Sequence, residues 1–254
     1  SLHDGQPYSI AEVSKPTFSD IDAASWMWGV LVAETDRVVT TGICNFPSHM
    51  GSLNYGYASV GAWRTISKSL YNSIPATDVR KGWWLDENGL SANLNAEQQA
   101  YISSAALDDN SNPLPYVQVK YGCYKDETYT SVNANDIPLM RVEEMYLILA
   151  EAQAMSGNAS AGAATLQNFV STYRDPAYTC TASSPQAVQD AAKNENGAAN
   201  GFMGLGMMNM ASGVAHATFN GIAKIGSSIA AYFSLISSKY SLILVNFFKS
   251  KPVS

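Results

Sequence analysis

The chain of 254 residues carries 21 acidic and 15 basic side chains, which gives a formal net charge of −6. A chain this acidic lacks the basic surface that nucleic acid requires, so nucleic acid is excluded as its main partner. All of the acids lie at or before Glu195, and residues 196–254 contain four lysines and no acid. This change in composition predicts two segments of different character.

Three cysteines, Cys44, Cys123 and Cys180, are far apart in the sequence. Their spacing is unlike that of a zinc site, and an odd number leaves at least one thiol unpaired. We interpret the cysteines as small buried hydrophobic residues. One disulfide between two of them is the alternative. Because the sequence starts without a charged and then apolar leader, we expect a processed protein or a fragment.

The first 135 residues predict short elements between long loops. A loop-rich start precedes an apolar, aromatic segment at Ser25, and residues 40–62 are rich in turns. A helix is predicted for Ala62–Tyr71, with Ile66 and Leu70 on one face. Residues 86–113 are polar and predict a surface excursion with one short helix at most. The alternation in Tyr116–Tyr121 then predicts a short strand.

A helical hairpin is predicted for residues 136–176. Asp136 can cap a helix with Pro138 in its first turn, because proline needs no hydrogen-bond partner there. Residues 139–155 are strong helix formers, and the chain turns at Gly157-Asn158. A second helix is expected from Ser160 to the Asp175-Pro176 step. The predicted apolar stripes are Val142, Met145, Tyr146 and Leu149 on the first helix, and Leu166, Phe169, Val170 and Tyr173 on the second.

Small residues predict close packing of these two helices. Ala152, Ala164 and Ser171, followed by Pro176, have the spacing of small positions in a tetratricopeptide-type repeat. One such repeat cannot bury its own apolar face, so neighbouring helices are implied.

Several motifs together resemble the C-terminal half of the SusD/RagB family. They are Trp26-Met-Trp-Gly, Tyr55-Gly-Tyr, Leu70-Tyr-Asn-Ser-Ile-Pro-Ala-Thr-Asp-Val-Arg-Lys-Gly-Trp-Trp, Val119-Lys-Tyr and Arg141-Val-Glu-Glu-Met-Tyr-Leu-Ile-Leu-Ala-Glu-Ala. The resemblance covers about residues 20–190. It implies a mainly α fold of tetratricopeptide-like helical hairpins with long loop excursions, a partial SusD-like domain. Members of the family are surface glycan-binding lipoproteins of Bacteroidetes-type outer membranes.

The resemblance stops near Asp190. The family's N-terminal half, signal peptide and lipid-bearing cysteine have no counterpart, and the helix expected after residue 190 is replaced by Ala191-Ala-Lys-Asn-Glu-Asn-Gly. We therefore expect a partial SusD/RagB-like domain at 1–190 that is cut off there. Residues 191–254 would form an apolar, Gly/Met-rich tail of unrelated character, which a chimeric sequence or a misread frame would explain.

The tail contains one candidate membrane span, Ile225–Phe248. It is long enough to cross a bilayer, but Lys239 near its middle offsets the gain from its apolar residues. A buried or loosely packed helix is the favoured interpretation. The methionines of residues 203–210 favour apolar packing over soft-metal binding.

Aromatic residues in turn-rich segments are the candidate ligand contacts. Aromatic faces stack on the C–H faces of sugar rings, and the resemblance implies glycan binding through aromatics on loops. Trp26 and Tyr55 are the preferred contacts, and burial in the core is the competing interpretation for each residue. The full predicted set is Trp26, Trp28, Tyr55, Tyr57, Trp63 and Trp83.

Acidic residues of the hairpin raise the alternative of glycoside cleavage. Glu144 and Glu151 are two helical turns apart and share a face, so they could act as an acid and base pair. Structural salt bridges of Glu143, Glu144 or Glu151 with Arg141 or Arg174 are the favoured interpretation. Asp78 and Arg80 are likewise predicted to form a structural pair or cap.

No nucleophile elbow, zinc-protease motif or phosphate-binding loop occurs in the sequence. We therefore expect a protein that is not an enzyme and has no cofactor or metal. The predicted function is capture of an oligosaccharide at the outer-membrane surface and its delivery to a SusC-like, TonB-dependent transporter. A protein-interaction scaffold without a sugar site is the alternative, and a glycoside hydrolase is the third.

Overall fold

The computed structural model describes residues 5–43 and 45–200. The described chain is mainly helical, with one two-stranded ribbon. The helices are α1 (Ile10–Val13), α2 (Arg37–Thr40), α3 (Phe46–Met50), α4 (Lys68–Ser73), α5 (Ala96–Ala105), α6 (Val142–Met155), α7 (Ala159–Tyr173) and α8 (Pro185–Asn200). The strands are β1 (Trp26–Val30) and β2 (Ile137–Arg141), and 3₁₀ turns cover Ala58–Val60, Val79–Trp83 and Tyr124–Asp126.

Strand β2 occupies residues that were predicted as the start of a helix. It pairs antiparallel with β1, so that Trp28 lies opposite Met140. Asp136 does not cap a helix; its carboxylate accepts hydrogen bonds from the backbone N–H groups of Val32 at 2.7 Å and Ile21 at 2.9 Å. The prediction of a helix entered at Pro138 was wrong because pairing with a distant strand outweighs the local helix preference.

The predicted hairpin is confirmed as α6 and α7. Helix α6 ends before Gly157, whose φ of 95° is a conformation that favours glycine. The side chain of Asn158 then caps α7 by accepting from the N–H of Ala161 at 3.1 Å. On α6 the buried face is shifted from the predicted stripe: Leu147 and Ala150 are buried, whereas Leu149 is exposed.

Close packing within the hairpin depends on Gly162. A Cβ atom at this position would lie 2.4 Å from the carbonyl oxygen of Ala150 and 3.0 Å from the Cβ of Ala154. The predicted small residues Ala152 and Ala164 are exposed and take no part in this approach. The prediction that these two alanines bring the helices close together was wrong, because both lie on the outer faces of their helices.

Helix α8 covers the hairpin and was not predicted. Its Val188 and Ala192 are buried, and the helix packs against both α6 and α7. Helix α8 runs through Asp190. The division at 190/191 stays a prediction, and the predictions for residues 201–254, including the Ile225–Phe248 span, lie outside the described residues. Among the described residues, none of the helices has the length and apolar character to cross a membrane.

The loop-rich part of the chain has two apolar clusters. One contains Phe18, Trp26, Trp83 and Trp84, and the other surrounds Ile102 of α5. The predicted single helix in residues 86–113 is confirmed as α5.

Residues 62–67 and 116–121 are extended neighbours. The N–H of Ile66 donates to the carbonyl of Tyr116 at 3.1 Å, and Thr65 bridges to Val117. This contact delays the start of α4 to Lys68, so the helix predicted from Ala62 was too long. The predicted strand at 116–121 forms isolated bridges rather than a sheet strand. Cys123 and Cys180 are free thiols, and Cys44 lies outside the described residues.

Candidate functional site

Three tyrosines form a partly exposed group, which we call the tyrosine platform: Tyr55, Tyr101 and Tyr129. The ring centroids of Tyr55 and Tyr129 are 5.9 Å apart, and those of Tyr101 and Tyr129 are 5.2 Å apart. Tyr55 is 39% exposed and Tyr129 is 51% exposed. The rings of Tyr55 and Tyr129 meet edge to face at 84°, so each exposed ring can stack on a different unit of a ligand that has several rings.

Backbone hydrogen bonds between two loops hold the platform. The N–H of Tyr55 donates to the carbonyl of Thr130 at 2.9 Å, and the N–H of Tyr129 donates to Leu53 at 2.6 Å. The buried amide of Asn133 donates to the carbonyl of Tyr55 at 2.9 Å. Tyr129 also has a φ of 63°, a left-handed conformation that is costly for a tyrosine and often occurs at functional sites. The exposed rings are thus placed by a fixed backbone.

The ring of Tyr101 lies beside that of Tyr129 and is half-buried. Its hydroxyl is buried and has no hydrogen-bond partner among the described residues. Burial, together with the neighbouring Tyr129 and Cys123, raises the pKa of Tyr101 to about 12. The group stays a neutral donor at physiological pH, and a polar ligand or a water molecule could satisfy it.

Two of the six predicted contacts lie in the core. Trp26 and Trp83 are each 1% exposed. The indole N–H of Trp26 donates to the Tyr8 hydroxyl at 2.8 Å, and that of Trp83 donates to the carbonyl of Val13 at 2.8 Å. An enclosed ring presents no face to a ligand, so the structure removes both tryptophans from the candidate surface.

The other four predicted residues are half-buried or exposed. Tyr55 belongs to the platform, whereas Trp28 is 64% exposed on β1. Tyr57 stacks on His49 with ring centroids 3.8 Å apart, and Trp63 is half-buried against the cluster around Ile102. The sequence interpretation missed Tyr101 and Tyr129. Tyr129 lies in a polar turn, where an aromatic residue indicates a ligand contact. Tyr101 lies on α5, where nothing in the sequence indicates one.

The glutamates of the hairpin serve packing. The Glu143 carboxylate accepts from Arg174 at 2.9 Å, from the Tyr8 N–H at 2.9 Å and from the Ser25 hydroxyl at 2.5 Å, and Arg141 lies 3.8 Å away. Burial alone would raise the pKa of Glu143, but the charges of Arg141 and Arg174 with the hydrogen bonds outweigh it and lower that pKa. The predicted structural salt bridges with both arginines are confirmed.

Glu151, Asp78 and Glu195 also have structural partners. The Glu151 carboxylate accepts a hydrogen bond from the side-chain amide of Gln189 on α8. Glu144 is half-buried, and burial raises its pKa. Asp78 accepts from the N–H and guanidinium of Arg80, which confirms the predicted pair and cap. Glu195 of α8 accepts from the same guanidinium at 2.6 Å.

Two solved structures have a similar fold. A SusD-like carbohydrate binding protein from Bacteroides vulgatus ATCC 8482 matches 78% of this chain with a TM-score of 0.52 and 19% identity. A SusD superfamily protein from Bacteroides thetaiotaomicron VPI-5482 matches 78% with a TM-score of 0.50 and 16% identity. The described chain therefore has a SusD-like helical fold, which confirms the predicted resemblance and fold class.

The chain spans a limited part of these structures. It covers 36% of the first and 39% of the second. No family model matches the sequence, and no curated protein matches it.

Proposed function

We propose that this chain belongs to a non-catalytic protein that binds an oligosaccharide on the tyrosine platform. The observation that carries the proposal is the pair of exposed rings, Tyr55 and Tyr129, with centroids 5.9 Å apart on a fixed backbone. The C–H faces of successive sugar rings can stack on such rings, while the neighbouring hydroxyls hydrogen-bond to polar groups. The unpartnered hydroxyl of Tyr101 is one such polar group.

The solved structures support glycan as the ligand class. One of them is described as a carbohydrate binding protein, and both belong to SusD-type proteins of Bacteroides. By the same resemblance, the protein would act at the outer-membrane surface and pass its ligand to a SusC-like, TonB-dependent transporter. A co-purification of the two proteins from membranes tests this partner.

Binding without hydrolysis fits the state of the acidic residues. Glu143 is occupied by two arginines, and Glu151 contacts α8. Glu143, Glu144 and Glu195 line a common pocket, but its volume of about 10 Å³ is too small to hold a sugar between two carboxylates, as glycoside cleavage requires. We expect no release of reducing sugar from any glycan that the protein binds.

The platform is tested by removing one ring at a time. Glycan-array screening identifies a ligand, and calorimetry with that glycan compares Tyr55→Ala and Tyr129→Ala with the parent chain. Each variant should bind about tenfold more weakly, which equals about 1.4 kcal/mol, because a stacking surface is lost. Tyr124→Ala is the control, since Tyr124 is not one of the platform tyrosines and its hydroxyl donates to Glu34. An array without any bound glycan, or variants with unchanged affinity, would sink the proposal.

An exposed apolar surface favours protein interaction as the second candidate function. Strand β1 and its surroundings expose six large apolar side chains: Met27, Trp28, Val30, Leu31, Leu139 and Met140. A surface of this kind is typical of protein contacts. Replacement of Trp28 by serine should weaken co-purification with the transporter and leave glycan affinity unchanged. The reverse pattern would assign Trp28 to the sugar site instead.

A further inference from the structure

A cleft that does not include the platform tyrosines is a second candidate binding site. It is a cleft of about 490 Å³ between the end of α4, the turn Val79–Trp83 and the loop 90–93. This volume falls within the range of about 300–1,000 Å³ that small-molecule sites occupy. The residues that carry the argument are Tyr71, Lys81, Trp84, Asp86 and Leu90.

Asp86 gives the cleft a fixed hydrogen-bond acceptor. Its Oδ1 accepts from the backbone N–H groups of Asn88 at 2.8 Å and Leu90 at 2.9 Å. These bonds hold the carboxylate in place, and within the described residues Oδ2 has no donor. A carboxylate oxygen that is held but unused can accept hydroxyl groups from a ligand.

Lys81 gives the cleft a fixed donor. Its Nζ donates to the carbonyl of Ile74 at 2.7 Å and lies 4.7 Å from the centre of the Tyr71 ring. An ammonium group has three protons, so one such bond leaves protons for a ligand. The other carboxylate of the cleft, Asp78, is already paired with Arg80. The free charges of Lys81 and Asp86 therefore balance, which favours a neutral ligand with both donors and acceptors.

Two further groups suit a ligand with polar and apolar parts. Trp84 lines the cleft, and its buried indole N–H has no acceptor among the described residues. Leu90 lines the same cleft and is 50% exposed, so it offers an apolar edge. A buried donor without an acceptor costs free energy that a bound molecule or an ordered water can recover.

We infer that this cleft binds a neutral monosaccharide at a site separate from the tyrosine platform. Asp86 Oδ2 accepts from sugar hydroxyls, Lys81 donates to a hydroxyl or ring oxygen, and Leu90 contacts the C–H face. The inference does not depend on the platform, because its residues are different. A zwitterionic amino acid is the competing ligand, since its two charges would pair with Asp86 and Lys81.

The experiment is a titration of the whole chain with glucose, galactose, mannose, xylose and N-acetylglucosamine, and separately with glycine. Saturation-transfer NMR detects binding, and calorimetry measures affinity. Asp86→Asn keeps Oδ1 for the turn but replaces the free acceptor with a donor. It should weaken sugar binding about tenfold or more, the loss expected for one bond to a charged acceptor.

Asp108→Asn is the matched control, because Oδ1 of Asp108 accepts from Asn110 and Asn112 in the same turn geometry outside the cleft. It should leave binding unchanged. No binding by any of the sugars, equal loss in both aspartate variants, or binding of glycine alone would overturn the inference. If Tyr129→Ala lost sugar affinity and Asp86→Asn did not, the sugar would be assigned to the platform, and the inference about the cleft would also be overturned.

Discussion

Glu143 connects parts of the chain that are far apart in sequence. Its carboxylate bonds to the N–H of Tyr8 and the hydroxyl of Ser25, and it pairs with Arg174 at the end of the hairpin. Arg174 in turn donates to the carbonyl of Tyr8 at 2.9 Å. Both carboxylate oxygens of Glu143 accept hydrogen bonds, and these bonds offset part of the cost of burying its charge.

Replacement of Glu143 by glutamine should therefore destabilise the fold strongly. The variant leaves the buried Arg174 without its counter-charge, and breaking a buried pair costs about 3–5 kcal/mol. Urea unfolding of the parent and the variant at pH 7 measures this difference. Glu127→Gln, at an exposed position, serves as the control and should change the free energy of unfolding by less than about 0.5 kcal/mol.

The effect of Glu143 depends on pH in a defined direction. Its pKa is lowered in the folded protein, whereas in the unfolded chain it takes the ordinary value of about 4.3. The stabilisation is complete above that unfolded value and is lost as the pH falls through the lower, folded pKa. The difference between parent and Glu143→Gln should shrink over the same acid range. A difference that stays constant down to pH 2 would contradict the assigned role.

Exposure of single residues was the least predictable property. Trp26 and Trp28 are neighbours on β1, yet one is 1% and the other 64% exposed. Turn-rich surroundings made both look accessible. The pairing of β1 with β2 shifts register between Trp26 and Trp28, so the two residues do not share one face as they would in a regular strand, and β2 is more than a hundred residues away. The ion pairs of Glu143 were predictable, because a buried carboxylate close to arginines is stabilised by pairing with them.

At the scale of elements, local signals predicted the hairpin loop well. Gly157, Asn158 and the Asp175-Pro176 step all act on their immediate neighbours, and the helix ends lie close to them. The start of α6, the start of α4 and the existence of α8 were not predicted. Each depends on a distant partner: β1, the 116–121 segment and the surface of α6 and α7, respectively.

Gly162 offers a test of the helix packing. An alanine there gains about 1 kcal/mol of helix propensity, but its Cβ would lie 2.4 Å from the Ala150 carbonyl oxygen. Overpacking costs about 1–3 kcal/mol, so we expect Gly162→Ala to lower the free energy of unfolding overall. Asn168→Ala, on the exposed face of α7, should be neutral or slightly stabilising. A Gly162→Ala variant as stable as the parent in thermal unfolding would show that the helices separate easily.

At the scale of the described molecule, α8 joins the hairpin to the loop-rich part. Its apolar face packs on α6 and α7, and its Glu195 pairs with Arg80 of the turn Val79–Trp83. The motif that carries much of the family resemblance, Asp78-Val-Arg, is therefore a structural joint between two parts of the fold.

Replacement of Glu195 by glutamine tests this joint. Loss of the charged partner of Arg80 should cost about 1.5 kcal/mol, the value of a hydrogen bond between charged groups. Hydrogen exchange followed by mass spectrometry should show faster exchange in residues 185–195 and unchanged exchange in α5. Glu97→Gln on α5 is the control. Unaltered protection of α8 in the Glu195→Gln variant would mean that apolar packing alone holds the helix.

The centre at Glu143 also bears on the speed at which the protein loses its fold. It brings together Tyr8 and Arg174, 166 residues apart, so most of the described chain must be organised before these contacts close. Contacts that close after the transition state slow unfolding and leave the folding rate nearly unchanged. In stopped-flow experiments Glu143→Gln should therefore unfold faster than the parent while refolding at a similar rate. The buried ion pairs would then slow unfolding and so lengthen the lifetime of the folded state.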